Sequence, residues 1–310
     1  MGAVVRIVTL TVNPALDVTV GVGRLVADRK LRTREPVIAP GGGGVNVARA
    51  ARRLGADVLA VLTSGGATGE RHHELLRAEG VDTRAVPVGD DTRENVSIDE
   101  AETGAQYRLV LPGPRLTDSE WGACLDAIVE EVGPGDVVVA SGSLAPGAPV
   151  DLYARVARIA RAAGAMAVVD ASGEPLGAAL TEGVDLVKPS RRELEELTGL
   201  DLADEPEQER AAAELVADGR AGAVALSLGG DGALLATPAG VSRGRAIEVE
   251  RRSTIGAGDS FLAALVIRLA AGDAPGSALD WALAAGAAAT LRPGTELCDP
   301  ADVERLLRRP

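Results

Sequence analysis

The sequence predicts an α/β fold with a largely parallel central sheet and a second, smaller sheet. Short β-branched apolar runs alternate along the chain with Ala-, Leu- and Arg-rich segments of helical periodicity. Buried parallel strands are continuous apolar runs, and a helix usually connects each one to the next. Hydrophobic residues make up 46% of the 310 residues, which is ample for a buried core and too high for disorder.

The elements of the main sheet are predicted in chain order from the length and composition of each run. The predicted strands are Val4–Val12, Val58–Leu62, Asp136–Ala140, Ala167–Asp170, Asp185–Lys188 and Ala223–Leu228. The predicted helices are Val45–Leu54, Glu70–Glu79, Asp118–Val132, Leu152–Ala163, Arg192–Thr198, Gln208–Ala217, Ser260–Ala270 and Ala278–Leu291. The acidic stretch Asp204–Glu214 is interpreted as the solvated start of the sixth helix.

Two stretches break this alternation, Asp17–Val37 and Thr92–Leu111. They contain alternating strand patterns, such as Asn95–Asp99 and Gln106–Val110, without helices between them. A small antiparallel sheet, separate from the main one, explains both stretches. Because the chain has no internal repeat and no Pro/Ser-rich linker, we expect one domain over residues 1–310. The small-sheet segments are expected at about 13–38 and 92–112.

Charge and composition exclude several classes of function. Lys and Arg total 32 against 45 Asp and Glu, and the net charge of −13 argues against a nucleic-acid partner. The two histidines, His72 and His73, are adjacent, so no HExxH zinc motif is present. Two cysteines, Cys124 and Cys298, fit a reduced cytosolic protein better than a disulfide framework.

The apolar segments predict neither a membrane span nor a signal peptide. The uncharged, mostly apolar runs, such as Trp281–Leu291, are far shorter than the ~20 residues that a transmembrane helix needs. The first residues, Met1–Val12, lack a basic region, a long apolar stretch and a small-residue cleavage site. We therefore expect a cytoplasmic protein without a membrane partner.

The first candidate motif is a run of four glycines, Gly41–Gly44, directly before a predicted helix. Without Cβ atoms, backbone N–H groups can converge there on an anion or a sugar hydroxyl, and the helix dipole adds positive potential. Asn46, in the first turn, can donate to a ligand. The alternative is a flexible loop that only starts a helix.

The second motif, Ser253–Phe261, also places small residues at the start of an apolar helix. Exposed amides there can stabilise the charge that develops in phosphoryl transfer. The carboxylate of Asp259 can take a proton from a nucleophilic hydroxyl. The alternative is that Asp259 only caps the helix.

The third motif, Ser227–Ala233, follows an apolar strand and can wrap a nucleotide with backbone contacts; its alternative is a tight turn at Asp-Gly. In the fourth, Lys188–Glu193, the lysine can reach a phosphate and Glu193 can hold water around Mg²⁺. The alternative there is a capping carboxylate. Among the 32 basic residues only Lys30 and Lys188 are lysines.

Two common motifs are absent from the sequence, and a third lacks its structural context. It has no Gly-x-x-x-x-Gly-Lys-[Ser/Thr] P-loop and no Gly-x-Gly-x-x-Gly after the first strand. The Gly-x-Ser-x-Gly spacing of the α/β-hydrolase elbow occurs once, at Gly240–Gly244, but not directly between a predicted strand and a predicted helix, as an elbow requires.

The order of these motifs over nearly the whole chain resembles the PfkB family of ribokinase-like sugar kinases. Asp17, Gly41–Gly44 and Ser253–Ser260 carry the resemblance. It implies a ribokinase-like three-layer α/β/α fold with a largely parallel central sheet. The small β-sheet would be a lid, and the lid strands of two subunits would pack together in a homodimer.

Within the family, the chain is most similar to the PfkB-type 6-phosphofructokinases. The similar segments are Arg6–Asp17, Lys30–Arg32, Pro40–Ala50, Gly65–Glu70, Gln106–Arg108, Ser141–Pro146, Asp170–Glu174 and Ala284–Cys298. The resemblance implies ATP- and Mg²⁺-dependent phosphorylation of fructose 6-phosphate at O1. Tagatose-6-phosphate kinase and 1-phosphofructokinase activity stay open, although those enzymes usually carry Gly-Lys-Gly in the glycine run. A non-catalytic sugar-phosphate or nucleotide sensor is the alternative from another class.

The resemblance also implies a role for each motif residue. Asp259 would be the general base, and the amides of Gly256, Ala257 and Gly258 would hold the transferring phosphoryl group. The residues implied for the sugar phosphate are Asp17, Lys30, Arg32, Gly42, Gly43, Asn46, Arg93 and Ser141. Those implied for ATP are Lys188, Ser227, Gly229, Gly232 and Thr254. Lys30 would act in the site of the neighbouring subunit.

Two metal sites are implied in the same way. Glu193 would hold Mg²⁺ through water, but the family's usual Asn-x-x-Glu motif begins here with Ser190, which puts the water network around Mg²⁺ and inhibition by ATP in doubt. The residues implied for a K⁺ site are Ser253, Ile255, Ala289, Arg292 and Gly294.

Overall fold

The computed structural model describes residues 5–292 and 294–308, so Val4 of the first predicted strand lies outside them. The strands are β1 Arg6–Thr11, β2 Ala15–Val22, β3 Val37–Gly41, β4 Asp57–Ser64, β5 Asp82–Pro87, β6 Arg93–Glu100, β7 Gln106–Val110, β8 Val137–Ser141, β9 Met166–Asp170, β10 Val184–Val187, β11 Ala221–Ser227, β12 Ala233–Thr237 and β13 Gly240–Gly244. The helices are α1 Gly43–Arg53, α2 Gly66–Ala78, α3 Asp118–Glu131, α4 Leu152–Ala163, α5 Gly173–Glu182, α6 Arg191–Thr198, α7 Glu205–Ala217, α8 Ala257–Ala270, α9 Pro275–Thr290 and α10 Pro300–Leu307.

Nine strands form the main sheet in the order β13-β12-β11-β10-β9-β8-β1-β4-β5. The seven strands from β11 to β5 are parallel, and β12 and β13 add an antiparallel edge. The chain starts the sheet with β1 and adds β4 and β5 on one side of it. It then adds β8 and the later strands on the other side of β1. The strand order therefore reverses beside β1, and a crevice opens there at the carboxyl ends of the strands.

The main sheet is the middle of three layers, as the α/β/α prediction requires. Residues of α1, α8, α9 and α10 form one apolar core with one face of the sheet. Residues of α3 to α7 form a second core against the other face. Among the described residues, none of the helices combines the length and apolarity needed to span a bilayer.

The small sheet has the order β3-β2-β6-β7. Its β2/β3 and β6/β7 pairs are antiparallel, but β2 and β6 are parallel. The prediction of a wholly antiparallel small sheet is therefore wrong at its centre. The reason is that β2 leaves the carboxyl end of β1 and β6 leaves the carboxyl end of β5, so both run outward in the same direction.

Every helix and strand predicted from apolar periodicity is present to within a few residues. Five elements were not predicted: β5, α5, β12, β13 and α10. Strand β5 is a half-polar edge strand, and β13 (Gly-Val-Ser-Arg-Gly) carries little apolar signal. Such edge elements bury one side at most, so their sequences lack the runs that mark a central strand.

Candidate active site

Three polar residues lie at the carboxyl ends of adjacent strands, beside the crevice. Ser141 ends β8, Asp170 ends β9, and Lys188 directly follows β10. The N-terminus of α8 approaches them from one side and the glycine run from the other. A cavity of about 190 Å³ is lined by Gly43, Ser141, Asp170, Glu193 and Asp259.

Asp259 lies in the first turn of α8, whose N-cap is Gly256 in a left-handed conformation (φ 73°). The first intrahelical hydrogen bond runs from the Ser260 N–H to the Gly256 carbonyl, so the N–H groups of Gly258 and Asp259 precede the hydrogen-bonded helix. Asp259 is thus not the N-cap, which excludes the simple capping alternative. The helix start instead presents amides and a carboxylate to the cavity.

The pKa of Asp259 is raised to about 7. Burial is the largest cause, and the nearby carboxylate of Asp170 adds to it. A hydrogen bond from Asn46 Nδ2 to Asp259 Oδ2 (3.0 Å) and the charge of Lys188 act in the opposite direction. A carboxylate with this pKa can accept a proton near neutral pH, which is what a general base requires.

Lys188 is buried and its Nζ lies 3.1 Å from Asp170 Oδ1. Burial lowers the pKa of Lys188, but Asp170, Asp259 and Glu193 together outweigh burial and raise it. The ammonium therefore stays protonated at neutral pH. Ser141 donates from Oγ to the other oxygen of Asp170 (3.3 Å), which fixes that carboxylate. A cation is thus held beside Gly258, at the start of α8.

The glycine run packs so closely that side chains are excluded. A Cβ on Gly43 would lie 2.5 Å from Ser141 Oγ and 2.8 Å from the Gly142 nitrogen. A Cβ on Gly41 would overlap the carboxylate of Asp17, and Gly42 has a φ of 116°. The run is therefore packed against neighbouring residues and is not a flexible loop.

Asp17, on β2, is buried and accepts a hydrogen bond from Asn95 Nδ2 on β6 (2.9 Å). Burial raises the pKa of Asp17, while Asn95 and the guanidinium groups of Arg108 and Arg49 act to lower it. Its carboxylate lies over the glycine run, as the close approach to Gly41 requires. Asp17, at the start of the run, and Asn46, which follows the run and donates to Asp259, therefore border a polar surface along the glycine run.

His72, on α2, supports the same run from behind, because its Nε2 lies 3.1 Å from the Gly41 carbonyl oxygen. Burial lowers its pKa to about 4 against 6.5 for an ordinary histidine. The unfolded chain thus binds the proton more tightly, and stability falls as the pH drops from 6.5 towards 4, by about 3 kcal/mol in total. His72→Gln keeps a donor to Gly41 and does not titrate. We therefore expect the unfolding free energy of this variant, measured with urea, to fall less steeply between pH 6.5 and 4.

His73→Gln is the matched control for His72→Gln. His73 is only half-buried, and burial also lowers its pKa. Its replacement is expected to flatten the acid limb of the stability curve to a smaller extent. Equal slopes in the His72→Gln variant and the unmodified protein would contradict the assignment.

The third motif forms one wall of a second cavity of about 300 Å³. The turn at Gly229–Asp231 connects antiparallel strands β11 and β12, so the tight-turn alternative is correct, and the turn also lines the cavity. The other walls are mostly apolar, which suits a heterocyclic base. The lining includes Ser227, Gly229, Gly232, Ile247, Val249, Thr254, Ala257, Gly258, Phe261 and Leu283.

Glu193 caps α6 and also lines the smaller cavity. One carboxylate oxygen, Oε2, accepts from the Ser190 N–H (2.7 Å) and the Ser190 hydroxyl (2.8 Å), which completes a capping box. The capping alternative is therefore correct, and the same carboxylate still borders the cavity beside Asp170 and Asp259.

The cationic side chains implied for the substrate phosphate lie on the small sheet and on the segment that connects two of its strands. The Arg93 guanidinium donates to the carbonyl oxygens of Asn13 and Leu111 (both 2.9 Å). Lys30 and Arg32 lie in the exposed segment between β2 and β3. Within one subunit these two residues line none of the cavities described here.

The five residues implied for a monovalent cation lie close together. Ser253 Oγ donates to the Gly294 carbonyl (2.7 Å) and accepts from the Ile255 N–H (3.2 Å). The Arg292 N–H donates to the Ala289 carbonyl (3.1 Å), and its guanidinium pairs with Asp302. These residues connect the loop before α8 to the end of α9.

Two residues of the site, Asp170 and Arg49, had no predicted role. Asp170 follows a buried strand, and the meeting of parallel-strand ends at one sheet edge was the signal that could have identified it. Arg49 lies three residues after Asn46 on α1, and a charge at this buried helix position was the corresponding signal.

Comparison with known proteins identifies the family. A family model described as pfkB family carbohydrate kinase matches residues 12–302. ATP-dependent 6-phosphofructokinase isozyme 2 of Mycobacterium tuberculosis H37Rv is 44% identical over 300 residues (97% of this chain, 88% of the relative). The isozyme 2 of Escherichia coli K12 is 39% identical over 308 residues (97% and 98%). A 1-phosphofructokinase of Xanthomonas campestris is 34% identical over 266 residues (84% and 83%).

The solved structures agree. Crystal structures of Escherichia coli phosphofructokinase-2 with fructose 6-phosphate and with potassium superpose with TM-scores of 0.92 and 0.94, at 38% identity over 98% of both chains. A tetrameric inhibited form of the same protein superposes equally well, with a TM-score of 0.92. The fold is therefore ribokinase-like, and the chain belongs to the pfkB family of carbohydrate kinases.

Proposed function

We propose that this protein is an ATP-dependent 6-phosphofructokinase, which converts fructose 6-phosphate and ATP into fructose 1,6-bisphosphate and ADP. The observation that carries the proposal is the carboxylate of Asp259, with a pKa of about 7, at a helix N-terminus between a polar surface and a nucleotide-sized cavity. Relatives named ATP-dependent 6-phosphofructokinase isozyme 2, which match 97% of this chain, support the substrate.

In the proposed reaction, Asp259 accepts the proton of the O1 hydroxyl as the O1–phosphorus bond forms. The bond from the γ-phosphorus to its bridging oxygen breaks, and ADP leaves. The amides of Gly256, Ala257 and Gly258 and the ammonium of Lys188 face the transferring group and stabilise its charge.

The sugar is held by the polar surface along the glycine run. Asp17, Gly42, Gly43 and Asn46 bind hydroxyls, and Ser141 borders the same cavity. The existing phosphate is a dianion that needs charged donors, which Arg93 and, from the lid, Lys30 and Arg32 supply. ATP occupies the 300 Å³ cavity along Ser227, Gly229, Gly232 and Thr254.

The residues present also fit the implied metal ions. No three His, Cys, Asp or Glu side chains within residues 5–292 and 294–308 form a metal cluster. Mg²⁺ would therefore be held mainly by ATP phosphates and water, with Glu193 orienting the water, and would neutralise phosphate charge. The carbonyls around Ser253 and Gly294 are the oxygen donors that K⁺ prefers, and the Escherichia coli relative has a potassium complex.

We propose that the protein is a cytoplasmic enzyme of one domain, whose small sheet is a lid that pairs with the lid of a second subunit. The lid exposes large apolar side chains, including Val37, Leu109 and Val110, which are more than half exposed. Large exposed apolar side chains on one small sheet favour a role in a protein interface. Lys30 and Arg32 would then complete the phosphate site of the neighbouring subunit.

Mg²⁺-dependent ADP release tests the proposal, with fructose 6-phosphate, fructose 1-phosphate, tagatose 6-phosphate and fructose compared side by side. Fructose 6-phosphate is expected to give the highest kcat/KM. If another sugar phosphate is preferred tenfold, a difference of about 1.4 kcal/mol, the proposed substrate is wrong but the proposed kinase reaction stands. Binding of sugar phosphate without ADP release would identify the non-catalytic sensor instead.

A further inference from the structure

Arg49 is a buried cation that pairs with Glu79 and also donates hydrogen bonds to the site. Its side chain, on α1, is only 3% exposed. Nε and Nη2 form a bidentate pair with Glu79 (3.0 and 2.6 Å), which balances its charge. The remaining nitrogen, Nη1, donates to the Pro40 carbonyl (2.8 Å) and to Asn46 Oδ1 (3.3 Å). Arg49 therefore contacts both the residue before the glycine run and the residue that touches Asp259.

The contact with Oδ1 decides which way the Asn46 amide points. With its oxygen held by the guanidinium, the amide must present Nδ2 to Asp259, where it donates at 3.0 Å. In the flipped amide an NH₂ group would face the guanidinium and an oxygen would face a carboxylate, and both contacts would be repulsive.

We infer that Arg49 is a positioning residue for the proposed reaction: it fixes the Asn46 amide so that this amide donates to the Asp259 carboxylate. This inference rests on the function proposed above, since Asp259 is taken as its base. The hydrogen bond favours the ionised carboxylate, and its loss raises the pH at which Asp259 becomes active.

Other groups that face Asp259 do not depend on this contact. They are Asp170 at the end of β9, Lys188 after β10 and Asp17 on β2. Asp170 and Asp17 raise the pKa of Asp259, and Lys188 lowers it. Because the charge of Arg49 also acts on Asp17, a change at Arg49 that keeps its positive charge reaches Asp259 through Asn46 while these three charges stay in place.

Arg49→Lys is the test variant, and Arg53→Lys is its matched control. Both arginines lie on α1 and pair with Glu79, but Arg53 donates to the Leu297 carbonyl and does not touch Asn46. A lysine at 49 keeps the charge beside Glu79, yet one ammonium cannot also hold Pro40 and Asn46. The acid limb of the pH profile of kcat/KM is expected to shift to higher pH by about 0.5–1 unit in Arg49→Lys. No such shift is expected in Arg53→Lys.

A loss of activity that is the same at every pH in Arg49→Lys would overturn the inference, since it would show only a structural role. The second test introduces Arg49→Lys into an Asn46→Ala background. If Arg49 acts through Asn46, Asn46→Ala shifts the acid limb and the added Arg49→Lys substitution shifts it no further. A second shift of equal size would show that Arg49 acts on Asp259 by another route, and would also overturn the inference.

A stability measurement separates this inference from the proposed function. The pH dependence of unfolding free energy, compared between Arg49→Lys and Arg49→Lys/Asp259→Asn, gives the pKa of Asp259 without any turnover. If no sugar phosphate releases ADP, the proposed function fails. The inference then stands or falls on whether this pKa lies above that of the unmodified protein.

Discussion

Asp259→Asn is expected to lower kcat for fructose 6-phosphate by roughly 10²–10⁴-fold while the protein stays folded. The amide has the shape of the carboxylate but cannot accept the O1 proton. The contact with Asn46 survives, since the new Oδ1 can accept the same hydrogen bond. KM is expected to change little, because the sugar hydroxyls and phosphate bind elsewhere. Steady-state ADP release over pH 6–9 measures both constants.

The same substitution is expected to stabilise the protein at neutral pH. The pKa of Asp259 is about 7 when folded against 3.8 as the ordinary value. The folded state thus binds the proton more tightly, and stability falls as the pH rises from 3.8 to 7. Asparagine removes this loss, a gain of up to roughly 4 kcal/mol above pH 7. Urea unfolding at pH 5 and pH 8 measures it.

Asp280→Asn is the control, since it makes the same chemical change at an exposed position of α9. It is expected to leave both kcat and stability unchanged. If Asp259→Asn keeps the kcat of the unmodified protein, Asp259 is not the base. If it is inactive but its gain in stability over the unmodified protein is no larger at pH 8 than at pH 5, the carboxylate is not held at the raised pKa.

How far the sequence predicts the fold depends on how much of each element is buried. Central strands such as β8 and β11 are continuous apolar runs, and nothing else in a soluble protein fits such runs so well. Edge strands β5 and β13 bury little, so local composition could not identify them. The parallel pairing of β2 with β6 depends on where two distant strands of the main sheet end, which no local pattern records.

The site divides in a similar way. Motif residues such as Asp259 and Gly43 stand out because small residues before a helix are unusual and have a chemical explanation. Asp170 and Arg49 are single charges whose roles depend on residues 18 and 30 positions away, Lys188 and Glu79. The two uses of Glu193, as a helix cap and as a cavity wall, were stated as alternatives, yet one carboxylate has the geometry for both.

Lys188→Met is expected to lower kcat by about 10²–10³-fold, the usual effect of losing one donor to a developing charge. It is also expected to destabilise the fold by about 3–5 kcal/mol, because Asp170 is left with its charge uncompensated. The acid limb of the pH profile should rise as well, since Lys188 is among the groups that lower the pKa of Asp259. Chemical unfolding and single-turnover kinetics measure the two effects separately.

The double variant Lys188→Met/Asp170→Asn distinguishes a direct role of Lys188 from a purely structural one. Removing the carboxylate charge together with the ammonium removes the unpaired charge, so most of the lost stability should return. The amide can still accept from Ser141, which keeps the end of β9 in place. Activity should stay low, because no side-chain cation then faces the transferring phosphoryl group. If activity returned with stability, Lys188 would serve only to neutralise Asp170, and the transferring group would have to be stabilised by the amides of α8 and Mg²⁺ without a side-chain cation.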